Sequence, residues 1–87
     1  MPYISPENRP KFSPGLDLLK AELRKSGYDA GELNYVISCL LYDAFAATPR
    51  YAEANKLVGV MEAAKLEFYR RKVAPYEETK IVENGDV

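Results

Sequence analysis

The sequence predicts an all-α fold, a small bundle of three main helices with a short fourth, on the strength of three observations. Helix start and stop signals bracket each segment, apolar residues recur at spacings of three and four, and every proline falls at a segment edge or in the N-terminal arm.

Proline at positions 2, 6, 10 and 14 removes a backbone donor every fourth residue and biases the preceding residue toward extended geometry, so residues 1–13 read as an extended arm. Tyr3, Ile4 and Phe12 are its means of strapping onto the domain, or onto a neighbouring subunit. Ser13-Pro14 pairs an N-cap residue with proline at the first helical position, and Ser26-Gly27 is a stop signal, which predicts a helix over 14–26 with Leu16, Leu19 and Leu23 on one face.

Asp29 and Glu32 form an aspartate version of the capping box at the head of a helix over 30–47, with Glu32 expected to reach back to the cap. Leu33, Val36, Ile37, Leu40, Leu41 and Ala44 make its apolar stripe, and Tyr35, Cys39, Tyr42 and Phe45 extend apolar bulk around most of the circumference. A helix this apolar is normally enclosed on several sides, and one short chain has few elements to enclose it. Cys39 reads as a small buried packing residue.

Thr48-Pro49 predicts the start of a third helix over 49–74, ended by Pro75. Ala54, Leu57, Met61, Ala64 and Phe68 form one stripe on it, and Leu66, Tyr69 and Val73 point elsewhere. Two apolar faces on one helix imply packing both within a subunit and between subunits. Acidic residues after Pro75 predict a short helix over 76–83, and Asn84-Gly85 signals a turn into the tail.

Eighty-seven residues supply one core, so the chain reads as a single domain over 1–87. With 47% hydrophobic and 29% charged residues it lies outside the disordered regime and is expected to fold. Twelve basic against thirteen acidic side chains leave a net charge of −1, so no whole-molecule field favours nucleic acid, and any anion site must be local. One cysteine fits a reducing compartment, and neither a secretory signal nor a spanning apolar run is seen, so a cytoplasmic location is expected.

With no histidine and one cysteine, Cys/His zinc sites and histidine-dependent nucleophile systems cannot be assembled within one copy, and the glycines form no phosphate-binding loop. No catalytic residue, metal site or cofactor is therefore assigned. The nearest enzymatic reading is a carboxylate-dependent metal hydrolase of nucleotides built on Glu62, Glu67, Glu83 or Asp86; Asn84-Gly85 interrupts its one Glu-x-x-Asp pair, and no Glu-x-x-Glu accompanies it.

The most basic local cluster is Lys65, Arg70, Arg71 and Lys72, with Tyr69 and Tyr76 beside it. Guanidinium forks next to aromatic rings grip phosphates, which makes these six residues candidate ligands for a small anion. Equally, Glu62 and Glu67 stand at helical spacing from the same cations, as on any solvated helix end. Seven tyrosines and no tryptophan favour half-buried or interfacial positions, and Tyr35, Tyr42, Phe45, Leu66 and Val73 are the candidate interface.

Met1-Pro2-Tyr3-Ile4 with Pro6, the internal Gly31-Glu32-Leu33-Asn34-Tyr35, and the closing Tyr69-Arg70-Arg71, Pro75-Tyr76-Glu77 and Asn84-Gly85-Asp86-Val87 resemble a family of short uncharacterised proteins of bacteria and tailed bacteriophages. The resemblance covers nearly the whole chain and carries no activity or catalytic residue with it. The phage setting that it implies is shared by small helical oligomers that sequester the cyclic nucleotides of host defence signalling. The leading expectation is thus a non-enzymatic homo-oligomeric binding protein for a small phosphate-bearing ligand, with a protein-protein adaptor and the metal hydrolase as alternatives.

Overall fold

A computed structural model describes residues 3–87. Met1 and Pro2, the first part of the expected arm, lie outside the described residues. Among the described residues there is no strand, and the all-α class is as the sequence predicts. The chain divides into two units, one ending at Ala47 and the other spanning Thr48–Val87.

In the first unit the arm is not extended. Two 3-10 turns, Pro6–Asn8 and Pro10–Phe12, lead directly into helix α1, Ser13–Lys25. Each turn opens on a proline, whose fixed φ suits a first turn and whose missing N–H would have no partner there. The four-residue proline spacing thus punctuates successive turns. Ser13 is the first helical residue and makes no side-chain cap, contrary to its expected N-cap role. Tyr3, Ile4 and Phe12 remain exposed, so the arm straps down none of them.

The stop of α1 is as the sequence predicts. Gly27 sits at φ 67° and Tyr28 at φ 59°. The Tyr28 amide donates to the Leu23 carbonyl at 2.8 Å and the Gly27 amide to Arg24 at 3.0 Å. This is the Schellman arrangement, in which left-handed residues turn their amides back onto orphan carbonyls of the last helical turn. Leu23, in that turn, is 6% exposed and is the one buried hydrophobic residue among the described residues.

Helix α2 spans Ala30–Ala47, as expected. The Glu32 amide donates to Asp29 Oδ2 at 3.2 Å, the predicted cap. The return half of the box is different: the Glu32 carboxylate accepts from the Ser26 hydroxyl at 2.8 Å, and the Asp29 amide donates to that same Ser26 oxygen at 3.3 Å. Ser26, left behind by α1, has taken the place of the Glu32 side chain at the cap amide. Val36, Ile37, Leu41 and Ala44 are half-buried, whereas Cys39 is exposed and not the buried packing residue its neighbours implied.

In the second unit Thr48 and Pro49 do not begin the helix. The Arg50 amide donates to the Thr48 carbonyl at 2.8 Å, closing a tight turn at Pro49, and an extended Arg50 caps helix α3, Tyr51–Phe68. Nor does Pro75 end it. A π turn, Tyr69–Val73, joins α3 to helix α4, Ala74–Asn84, so one helix runs from Tyr51 to Asn84, about 50 Å at 1.5 Å per residue. The Ala74 amide donates to the Tyr69 carbonyl, five residues back. A proline ring collides with the carbonyl four residues back. Widening the preceding turn by one residue absorbs that collision without breaking the helix. Gly85, at φ 86°, stops α4 where Asn84-Gly85 predicts a turn, its amide donating to Ile81 at 2.8 Å.

Candidate functional site

The six candidate ligand residues sit on and around the π turn. Tyr69, Arg70, Arg71 and Lys72 belong to it, Lys65 lies one turn before it, and Tyr76 lies in the first turn of α4. All six are exposed.

Most already have a partner on the helix. Lys65 pairs with Glu62 at 3.0 Å, and Arg70 Nη2 donates to both Glu67 oxygens at 2.9 and 3.0 Å. Arg71 Nε meets the same carboxylate. Two guanidinium groups thus share the Glu67 carboxylate. The Tyr69 hydroxyl donates to Glu77 Oε1 at 2.8 Å, bridging the π turn from end to end, and the Lys80 ammonium lies 5.5 Å from the centre of the Tyr76 ring. Such exposed pairs contribute little each; together they hold the side chains of this segment in place.

The hydrogen bond to Glu77 raises the Tyr69 phenol above the usual tyrosine value, because the neutral form is the donor and a nearby carboxylate opposes a second negative charge. With the folded-state value raised, the contribution of this bond is complete below pH about 10 and is lost as pH rises through the raised value. Ultraviolet titration of the tyrosinate band is expected to show one late-ionising phenol fewer in Tyr69→Phe than in the wild type. An alkaline limb identical in both proteins would refute the assignment. The Tyr35 phenol is raised in the same direction, chiefly by a hydrogen bond to Cys39 one turn along α2.

Of the candidate interface residues, Tyr35, Tyr42 and Phe45 are exposed on α2 and Leu66 is exposed near the end of α3, while Val73 is half-buried at the end of the π turn. Phe68, placed by its spacing on the core-seeking stripe, is 62% exposed. Among the described residues no three of His, Cys, Asp and Glu stand close enough to hold a metal ion, so Glu62, Glu67, Glu83 and Asp86 are not gathered within one copy. No described helix is long and apolar enough to cross a membrane.

Sequence reasoning passed over Glu77, Glu78 and Lys80. Tyr69 and Glu77 are eight residues apart, close to two helical turns, and this relation becomes visible once the helix is read through Pro75.

The class so defined is a small all-α protein with exposed apolar helix faces and a dense band of paired charge around a π turn. The chain belongs to the family Domain of unknown function (DUF6899), whose model matches residues 1–87. No curated protein and no solved structure matches it.

Proposed function

We propose that this protein is a non-enzymatic, homo-oligomeric helical binding protein of bacterial or phage origin, which holds a small phosphate-bearing ligand at a subunit boundary. The observation that carries the reading is the apolar surface left open on both units. On the first, Tyr35, Leu40 and Tyr42 are exposed along α2; on the second, Val58, Leu66, Phe68 and Val82 are exposed along the continuous helix. Fully burying an aliphatic or aromatic side chain of this size yields about 1.5–3 kcal/mol, so a few such residues suffice to drive association.

The ligand part of the reading rests on the cations of the π turn. Lys65, Arg70, Arg71 and Lys72 lie beside Tyr69 and Tyr76, and fork-shaped donors next to aromatic rings suit a nucleotide phosphate and base. The resemblance to proteins of tailed phages makes a defence signal the class of ligand to try first.

Native mass spectrometry of freshly purified protein is the test, since it reads subunit count and retained ligand together. An oligomer that carries a nucleotide-sized adduct, lost in Arg70→Ala/Arg71→Ala, is the expected result. A bare monomer at all concentrations overturns the whole reading. A bare oligomer that also ignores a panel of cyclic dinucleotides overturns the ligand.

A further inference from the structure

Leu66, Arg70, Ala74, Glu78 and Val82 follow one another at intervals of four along the continuous helix, and the order is self-complementary about Ala74. Leu66 and Val82 are equally far from Ala74, Arg70 is as far before it as Glu78 is after, and the same holds for Arg71 with Glu77 and for Lys65 with Glu83. Basic residues lie before the centre and their acidic counterparts after it. Leu66 is 58% and Val82 85% exposed, and Glu78 makes no ion pair among the described residues.

The π turn turns this order into a face. In an uninterrupted α-helix a four-residue row drifts by about 40° per step, which would set Leu66 and Val82 about 160° apart, on opposite sides. A π turn takes up one extra residue, removing about 100° of that rotation and leaving about 60° between them.

From this we infer that two copies of the chain pair antiparallel about Ala74, through a two-fold seam running from Leu66 to Val82. Arg70 of each copy stands opposite Glu78 of the other, while Arg71 and Glu77 flank the seam on either side and add to the same charge pattern. Leu66 packs against Val82 at both ends, and the small Ala74 allows close approach at the crossing. A two-fold contact must be self-complementary, which is the property this row has and which a phosphate site would not require. The apolar ends supply affinity, and the charges set direction and register by penalising the parallel alternative. The inference rests on the homo-oligomeric part of the proposed function and needs no ligand.

A charge exchange tests it, by sedimentation velocity at low ionic strength, where screening is weakest. Arg70→Glu/Arg71→Glu alone, and Glu77→Arg/Glu78→Arg alone, are each expected to associate about ten-fold or more weakly than the wild type. Mixed one to one, they are expected to recover wild-type association as a heterodimer, because every like-charge contact then becomes an opposite one. Recovery on mixing also shows that both variants fold. Variants that remain as associated as the wild type, or a mixture no tighter than its components, would overturn the seam while leaving oligomerisation standing. A second measurement uses Leu66→Cys and Val82→Cys, each with Cys39→Ser: oxidation is expected to cross-link the two with one another far faster than either with itself. A wild type that stays monomeric throughout overturns the seam together with the proposed oligomer.

Discussion

Leu23→Ala is expected to lower stability by about 2–5 kcal/mol, the usual range for truncating a buried leucine, where lost transfer energy is joined by the cavity left behind. For a chain of this size that is a fall of at least about 8 °C in melting temperature. The expectation follows from position: Leu23 is the buried hydrophobic of the first unit, and its carbonyl accepts the Tyr28 amide that closes the turn after α1. Leu18→Ala is the control. Leu18 lies on the same helix at 75% exposure, and leucine and alanine have similar helix propensity, so its loss is expected to change stability by no more than about 0.5 kcal/mol. Thermal melts followed by circular dichroism, at one fixed protein concentration so that association contributes equally, check both. Equal effects from the two substitutions would mean that Leu23 anchors nothing.

Pro75→Ala is expected to act in two opposite directions. A proline inside a helix is less favourable than alanine by about 3 kcal/mol, so its removal should raise helicity and stabilise the Tyr51–Asn84 helix by up to that amount. With the proline gone, nothing requires the wide turn at Tyr69–Val73, and relaxation to α geometry restores the normal winding. Glu78 and Val82 then rotate away from Leu66 and Arg70 by about 100°. Self-association is expected to weaken by about a hundred-fold or more, the equivalent of losing the burial of one aliphatic side chain per copy. Circular dichroism and sedimentation velocity on the same sample read the two effects independently. A variant that gains helix and associates as tightly as the wild type would show that the π turn merely tolerates the proline.

The candidate site was legible in its composition and not in its wiring. Lys65, Arg70, Arg71, Lys72, Tyr69 and Tyr76 lie together around the π turn because they are near neighbours in sequence, and the ion pairs to Glu62 and Glu67 follow from helical spacing. The Tyr69–Glu77 bond and the row that continues into Glu78 and Val82 lie beyond Pro75, where a strict rule on proline ends the helix. The rule describes the cost of a proline in an α-helix, and a local change of hydrogen-bond register is a way around that cost.

What this sequence determines by itself is local. The all-α class, the extent of α2, the stop at Gly27, the cap at Asp29 and the end at Gly85 depend on backbone groups satisfied by residues a few positions away. The missing histidine is likewise a property of the chain alone, and it removes histidine-based chemistry whatever the fold. Tertiary structure decided the rest. It left Cys39, Leu66 and Phe68 in contact with solvent, whereas the Ser26 cap at the Asp29 amide and the passage of the helix through Pro75 are local departures that the spacing rules did not anticipate. Periodicity shows which residues would gain from leaving water, but what they leave it for depends on the surface that meets them, which no spacing along one chain specifies.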